Sequence, residues 1–286
     1  MMKSVSHIMS EDFVTVDILT SVLKVQNIAV EKGINYFPVV EDNKLIGVTT
    51  YKNLITTHPN RIIADAMSTN IVSISSDSSI WEAKEKLNQS KSEVLFVLKD
   101  GKLLGVVNKT ILFMELGKHV DPLTGLYKSD YIYYNGAELI SNNIEVSVVF
   151  IDVDKFGHID KKYGHIKGDI VLKEISSLLE KNLPEETYLC RFGGDEFVIL
   201  TSYLQDRCII LTKKLLSTVA SHSFIDDIKI TASAGISGGK RNKIRNCNAI
   251  DTVTNLINLA SLASAKAKKD KSGLAVFEEV SITETA

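Results

Sequence analysis

The 286-residue chain has little of several features that would mark a specialised class of protein. Its three cysteines, Cys190, Cys208 and Cys247, are too far apart for a metal-binding motif and indicate small reduced side chains in a reducing compartment. No apolar run approaches the ~18 residues that cross a bilayer, and the N-terminus, "MMKSVSHIMSEDF", lacks the apolar segment of a signal peptide. We therefore expect a cytoplasmic protein that does not contact a membrane.

The chain also lacks an excess of charge of either sign. It has 33 basic and 35 acidic side chains and a formal net charge of -2. The one basic cluster, "KRNKIR" at 240–245, reads as a solvated loop, so binding to nucleic acid is disfavoured. The length and the 44% hydrophobic content predict two domains, each with its own core.

The first part of the chain repeats itself with an offset of 58 residues. "YFPVVEDNKLIGVTTYKNL" from Tyr36 aligns without a gap with "VLFVLKDGKLLGVVNKTIL" from Val94. Each copy predicts a short strand, a helix, two strands joined by a tight turn and a further helix, which is a β-α-β-β-α module. Because one copy has too small a core to fold alone, we expect the two to pack as a unit.

This duplication resembles a tandem pair of CBS modules, which bind adenosine-containing ligands between the copies. The family's ribose and phosphate motif is matched in the first copy by Gly47, Thr50 and Asn53. The resemblance therefore implies an adenosine-containing nucleotide as a partner at these residues. The second copy has Asn108 and Ile111 at the hydroxyl and acid positions, so its site is predicted to be impaired. The alternative is a dimerisation or spacer module without a nucleotide.

The second part of the chain has a different pattern of elements. Strand-like segments "EVSVVFID", "TYLCRF", "EFVILTS" and "IKITASAGIS" alternate with helical ones in the order β-α-β-β-α-β, after an added helix near 127–142. The fold class we expect is thus α/β (α+β): a pair of β-α-β-β-α modules followed by a ferredoxin-like β-α-β-β-α-β domain.

Acidic residues end the first strand of this domain and begin the second arm of its hairpin. Asp152 closes the strand, while Asp195 and Glu196 follow Gly193 and Gly194 at the turn. In this topology the strand and the hairpin are neighbours, so three carboxylates would gather at one edge, which is unfavourable unless a cation bridges them. Oxygen ligands favour Mg²⁺ (or Mn²⁺), and glycines without side chains let a nucleotide approach the turn.

Residues 119–280 resemble the GGDEF domain, the diguanylate cyclase fold. The resemblance is carried by five ordered motifs, which are "DPLTGLY" (121–127), "IDVDKF" (151–156), "YGHIKGD" (163–169), "GGDEF" (193–197) and "TASAGI" (231–236). It implies that Asp152, the carbonyl of Val153 and Asp195 hold the metal ion. It also implies that Asp195 or Glu196 helps to deprotonate the 3′-hydroxyl of GTP.

The same resemblance implies a set of substrate-binding residues, with Asp169 reading the guanine edge. The set comprises Phe156, Gly157, Asp160, His165, Asp169, Gly193, Gly194 and Lys268. Arg191 would support the hairpin.

The chain departs from the family pattern at several of these positions. It has Asp160 for asparagine, Gly157 for lysine, Ala265 for tyrosine and Ser272 for arginine. Each lost charge-assisted phosphate contact costs about 1.5–3 kcal/mol, and Lys271 is a candidate replacement cation. "PEET" at 184–187 stands where the family has its product-inhibition Arg-x-x-Asp, so no feedback site is expected.

These observations predict a tandem CBS regulatory domain at 1–115, a signalling linker and initial turn at 116–126, and a GGDEF domain at 127–280. The implied activity joins two GTP molecules into cyclic di-GMP, regulated by an adenosyl ligand. Because each domain holds one GTP, a homodimer is implied. One alternative is a weak or inactive GGDEF domain that senses GTP or binds a partner. Another is a chain whose main function is adenylate sensing by the CBS pair.

Overall fold

The computed structural model describes residues 4–42, 44–240 and 248–277, which form two compact units, 1–118 and 119–286. Most of the predicted basic loop, residues 241–245, and Cys247 lie outside the described residues. None of the helices in the described ranges is both long and apolar enough to cross a bilayer.

Unit 1 contains the duplicated modules in the predicted order. The first copy comprises β1 (Val16–Asp17), α1 (Val22–Lys32), β2 (Tyr36–Glu41), β3 (Lys44–Thr50) and α2 (Tyr51–Thr56). After the short helix α3 (Ile63–Ala66), the second copy comprises β4 (Ser73–Ser75), α4 (Ile80–Ser90), β5 (Val94–Lys99), β6 (Lys102–Asn108) and α5 (Lys109–Gly117). The β-α-β-β-α prediction for each copy is confirmed.

The two copies agree in local detail as well as in element order. The Ser21 hydroxyl accepts a hydrogen bond from the Lys24 N–H at the start of α1, and Ser79 does the same for Glu82 at the start of α4. Each central hairpin also has a register shift at the equivalent place. The sequence repeat is therefore a repeat of capping and of strand register.

The two copies cross closely at two places within unit 1, and Gly47 lies at one of them. Ser10 bridges to Val106 on β6, and Ser68 bridges to Val48 on β3. A Cβ on Gly47 would lie 2.9 Å from the Met67 Sδ and 3.1 Å from the Ser68 carbonyl oxygen. The start of each copy thus crosses a strand of the other, which explains why one copy could not fold by itself.

Unit 2 contains the predicted β-α-β-β-α-β order within a longer series of elements, in which two helices, and not the one predicted, follow the first strand. Its elements are α6 (Ser129–Ser141), β7 (Ser147–Val153), α7 (Phe156–Tyr163), α8 (His165–Asn182), β8 (Thr187–Arg191), β9 (Glu196–Thr201), α9 (Gln205–Ser221), β10 (Ala232–Gly238), α10 (Ala249–Asp270) and β11 (Leu274–Val276). The described strands form a sheet in the order β11-β10-β7-β9-β8. Strands β10-β7-β9-β8 confirm the ferredoxin-like prediction, while β11, parallel to β10, was not predicted.

Strand β7 lies in the middle of this sheet and is buried on both faces. Val149 and Ile151 pack into the cluster that contains α8 and α9, whereas Val148 and Phe150 pack with α6 and α10. Side chains alternate along a strand, so Asp152 falls on the face covered by α10. The polar end of β7 is therefore presented beside the last turns of that helix.

Candidate active site

The end of β7 and the start of β9 lie side by side, as the topology predicted. Asp152 pairs with Glu196 in the antiparallel register, and the Val153 N–H donates to the Asp195 carbonyl oxygen at 3.2 Å. Main-chain pairing thus fixes the spacing of the three acidic residues, independently of their side chains. This edge, formed by Asp152, Asp195 and Glu196, is called the acidic edge below.

Arg191 holds the hairpin that carries the acidic edge. Its Nε and Nη2 donate to the Gly194 carbonyl oxygen at 3.0 and 2.6 Å, and its Nη1 donates to Asp121 Oδ1 at 2.9 Å. Burial pulls the pKa of Asp121 upward, but hydrogen bonds from Thr124 and Arg191 outweigh it and the pKa is lowered. The carboxylate therefore stays charged and anchors the arginine, which matches the supporting role expected for Arg191.

The glycines of the turn have different surroundings. A Cβ on Gly193 would lie 2.5 Å from Glu196 Oε2, because the glutamate side chain folds back over that residue. At Gly194 a Cβ would meet none of the described atoms within 4 Å, so this side of the turn is open. The first glycine makes room for Glu196, and the second leaves a surface that a ligand can approach.

Burial and neighbouring negative charge raise the pKa values of Asp195 and Glu196. Burial and then the negative charge of Asp152 raise the pKa of Asp195. Burial, Asp152 and Asp195 together raise the pKa of Glu196, while Lys268 opposes both shifts. The fold therefore holds these side chains in a position that disfavours their charged forms, and a bound cation would relieve that cost.

Lys268, at the end of α10, supplies a cation at this edge. Its Nζ forms an ion pair with Asp152 Oδ1 and lies 3.4 Å from the Val153 carbonyl oxygen. The sequence had indicated a phosphate-binding lysine here, and nothing in it indicated a contact with Asp152. The two oxygens expected to bind a metal ion thus already face one positively charged atom.

The residues present fit a divalent cation, with the main chain as part of the ligand set. Among the residues that the structure describes, no group of three His, Cys, Asp or Glu side chains forms a ready metal site. The candidate set is instead two carboxylates, Asp152 and Asp195, and the Val153 carbonyl oxygen. Mg²⁺ commonly takes one or two carboxylates and completes its shell with water and substrate phosphates.

Asp154 is held away from this role by β10. The Thr231 and Ser233 hydroxyls donate to its two carboxylate oxygens at 2.6 and 2.8 Å. These bonds connect the turn after β7 to the first residues of β10. They occur across 77 and 79 residues of sequence, and no local pattern in the sequence indicated them.

Helix α7 begins directly after this turn. Lys155 precedes it in the left-handed conformation, with a φ of 55°, and Phe156 and Gly157 form its first turn. The first N–H groups of a helix have no intrahelical acceptor, and they favour anions. Around Gly157 no described atom would touch an added Cβ, so the space beside this first turn is open.

Asp160 and His165 meet at the junction of α7 and α8. His165 Nδ1 lies 2.9 Å from Asp160 Oδ2. Asp160 Oδ1 is buried against Gly168 and has no hydrogen-bond partner among the described residues. Asp169 lies exposed on α8, four residues beyond His165. The structure therefore brings Asp160 and His165 into contact.

Family models match both parts of the chain. The model described as "Diguanylate cyclase, GGDEF domain" matches residues 118–273, and the CBS domain model matches 5–58 and 63–118. The chain belongs to the GGDEF family. The GGDEF domain follows a tandem CBS pair, as the sequence resemblance indicated.

Two curated relatives are named diguanylate cyclases. "Diguanylate cyclase DgcP" of Pseudomonas aeruginosa is 33% identical over 133 residues, 43% of this chain and 20% of that protein. "Diguanylate cyclase DgcS" of Shewanella oneidensis is 28% identical over 126 residues, 43% of each chain. The chain thus spans less than half the length of these relatives.

A solved structure shares the fold. The coiled coil and GGDEF domain of DgcB from Caulobacter crescentus, in complex with c-di-GMP, has a TM-score of 0.51 and 15% identity. The match covers 69% of this chain and 96% of that one.

Proposed function

We propose that the chain is a diguanylate cyclase that condenses two GTP molecules into cyclic di-GMP and releases pyrophosphate. The observation that carries this proposal is the acidic edge, in which main-chain pairing holds Asp152 beside Glu196, and in which burial and the charge of Asp152 raise the pKa values of Asp195 and Glu196. Its membership of the GGDEF family and its relatives named diguanylate cyclases support the same reaction.

Glu196 is the residue that we propose accepts the proton of the 3′-hydroxyl. Its pKa is raised by burial, Asp152 and Asp195, which makes its carboxylate a better proton acceptor than an isolated glutamate. Gly193 lets this side chain fold over the turn, and the open side of Gly194 leaves space for the nucleotide. Asp195, with its raised pKa, is the second candidate base.

Asp152, the Val153 carbonyl oxygen and Asp195 are the proposed ligands of Mg²⁺ or Mn²⁺. When bound, such an ion would offset the charge that develops on the reacting phosphate. Lys268 has to leave Asp152 for this to happen. Its side chain is 37% exposed and long, so it can turn toward a phosphate without a change in the backbone.

The remaining predicted residues would bind either the phosphates or the base of the nucleotide. The N–H groups of Phe156 and Gly157, in the first turn of α7, are the proposed donors to phosphate oxygens. Asp160, whose Oδ2 contacts His165, is the proposed acceptor for a base amino group. Asp169 remains the proposed reader of the guanine edge.

Two further parts of the proposal concern assembly and regulation. Because one domain binds one GTP and the reaction joins two, two chains have to face each other as a homodimer. In unit 1 an adenosine-containing nucleotide would bind at Gly47, Thr50 and Asn53 and act through the proposed 116–126 linker, by shifting the population of productive dimers.

The test is incubation of the full chain with GTP and Mg²⁺, followed by chromatography for cyclic di-GMP, alongside Glu196→Ala. We expect product from the unchanged chain and a large loss in the variant. The contact between Lys268 and Asp152 favours one competing function, a GTP sensor without turnover. Bound GTP with no cyclic product would contradict the proposed catalysis and support that sensor.

A further inference from the structure

A cavity of about 990 Å³ lies in unit 2 between α7, α9, the start of β10 and the end of α10. Among the described residues, its walls share a high density of positive charge. The lysines that line it are Lys155, Lys162, Lys213, Lys229, Lys268 and Lys271. They come from four separate segments of the chain, so their convergence is a property of the fold and not of one basic run.

Few negative charges oppose these lysines. The acids among the described lining residues are Asp154 and Asp227, so six lysines face two aspartates. Both oxygens of Asp154 already accept hydrogen bonds from Thr231 and Ser233. Like charges gathered in one cavity repel each other, and an anion in the cavity would relieve that repulsion.

The floor of the cavity strengthens this field. Ile159, Ile228 and Ala232 line it and are only 6%, 4% and 7% exposed. An apolar wall has a low dielectric constant and screens charge poorly, so it focuses the field of the lysines into the cavity. Charged groups over such a floor bind a polyanion better than the same groups on an open surface.

The cavity adjoins the acidic edge. Lys268 belongs to both, since its Nζ contacts Asp152 while its side chain lines the cavity. Ser272 also lines it, at a position where the family resemblance places an arginine, and Gly157 stands where it places a lysine. The chain thus lacks two family cations beside a cavity that gathers others.

We infer that this cavity binds the polyphosphate chain of the nucleotide, with Lys213, Lys229 and Lys271 replacing the charges missing at Gly157 and Ser272. Lys213 and Lys229 lie outside every motif that indicated the family. The inference rests on the proposed function, because it assigns the phosphates beyond the reacting one to this cavity. A volume of this size is within the range of ligand pockets, about 300–1,000 Å³, and accommodates such a chain.

The test is calorimetric titration of the full, nucleotide-free chain with inorganic tripolyphosphate. Lys213→Gln, Lys229→Gln and Lys271→Gln should each weaken binding by about three- to tenfold, as expected for exposed charge-assisted contacts. Lys214→Gln is the matched control, because Lys214 is the next residue on α9, is also exposed and does not line the cavity. Equal affinities of the Lys213 and Lys214 variants would overturn the inference.

A pair of neighbouring aspartates gives a test of opposite sign. Asp227 lines the cavity, whereas Asp226 forms an ion pair with Lys167 outside it. Asp227→Asn should bind tripolyphosphate about two- to threefold more tightly, since it removes a repulsive charge, and Asp226→Asn should be unchanged. A general effect of net charge would move both variants equally and would contradict a specific cavity.

Competition identifies the source of the phosphates. If the cavity receives the substrate's own chain, GTP displaces tripolyphosphate and GMP does so far less well. Simultaneous binding of GTP and tripolyphosphate would overturn the inference. The readout does not depend on turnover: lysine-dependent binding without cyclic product would contradict the proposed catalysis alone, and cyclic product with no effect of the lysines would contradict the inference alone.

Discussion

Each unit contains a short motif that indicated a ligand site, and the two motifs have different structural roles. In unit 1, the Thr50 hydroxyl accepts from the Asn53 N–H at 3.2 Å, and Asn53 Oδ1 accepts from the Thr50 N–H at 3.1 Å. This is a complete capping box at the start of α2. In unit 2, Asp195 and Glu196 are held beside Asp152 with raised pKa values. The motif in unit 1 is hydrogen-bonded within itself, whereas the surroundings of Asp195 and Glu196 in unit 2 disfavour the charged forms of these residues.

This difference shows which motif needs a ligand to explain it. A capping box stabilises a helix whether or not a nucleotide binds, and in the second copy Asn108 caps α5 by accepting a hydrogen bond from the Ile111 N–H. Gly47 is likewise explained by its approach to Met67. In unit 2 the fold disfavours the charged forms of Asp195 and Glu196, although Asp152 pairs with Lys268. The case for a ligand is therefore stronger in unit 2 than in unit 1.

The largest effect that would sharpen this comparison is expected at Glu196. Glu196→Gln keeps the shape of the side chain but removes the proton acceptor, so turnover should fall by about 10²–10⁴-fold, measured as cyclic di-GMP formed at saturating GTP. Glu185→Gln, an exposed acid before the hairpin, is the control. A loss of less than about tenfold in Glu196→Gln would exclude Glu196 as the base.

Lys268 should affect metal and nucleotide binding in opposite directions. Lys268→Met frees Asp152 and the Val153 carbonyl, so Mn²⁺ should bind the nucleotide-free chain more tightly. GTP should bind about 10- to 100-fold more weakly, since a charge-assisted phosphate contact is lost. Calorimetry measures both affinities. Lys269→Met, the exposed neighbour, should change neither; parallel changes in Lys268→Met would show a purely structural role.

Thermal unfolding should reveal the cost of the acidic edge. Burial and Asp152 raise the pKa of Asp195 above its ordinary 3.8, so the native state binds a proton more tightly than the unfolded chain. This contribution to stability is present at acid pH and is lost as the pH rises through the raised pKa. Asp195→Asn should therefore melt about 1–2 °C higher than the unchanged chain at neutral pH without metal.

The pH dependence of that difference is its control. The advantage of Asp195→Asn should shrink as the pH falls from 7 toward 4, because the aspartate then gains its own proton. Added Mg²⁺ should raise the melting temperature of the unchanged chain more than that of the variant. A variant that melts lower at neutral pH would contradict the view that the edge is strained without a cation.

The smallest expected effects lie in unit 1. Thr50→Ala and Asn108→Ala should each destabilise unit 1 by about 0.5–2 kcal/mol, the usual cost of a lost helix cap, measured by urea unfolding. Thr50→Ser should retain most of the stability. If AMP, ATP or S-adenosylmethionine binds the unchanged chain and Thr50→Ala but not Asn108→Ala, the first-copy motif is not the ligand site.

Much of this architecture could be predicted from the sequence because it depends on local patterns. The offset of 58 residues predicted two similar modules, and the alternation around "GGDEF" predicted the hairpin beside β7. Strand β11 was missed because three residues after a helix give too short a pattern. The contact between Lys268 and Asp152 spans 116 residues and depends on where α10 ends.

The lysines of the cavity could not be predicted from the sequence for the same reason. Lys213 and Lys229 have no spacing that connects them, and only the packing of α9 beside the start of β10 places them on one cavity. The sequence indicated Lys271 as a replacement cation because it lies next to Ser272, which stands where the family has an arginine. Residues that act together through the fold cannot be recognised when nothing local in the sequence relates them.

The most direct test of this account is Mn²⁺ binding by the full chain in the presence of a GTP analogue that cannot react, measured by electron paramagnetic resonance. The account predicts bound Mn²⁺ in the unchanged chain and in Thr50→Ala, and its loss in Asp152→Asn. Equal binding by the unchanged chain and Asp152→Asn would contradict the claim that the acidic edge holds a divalent cation.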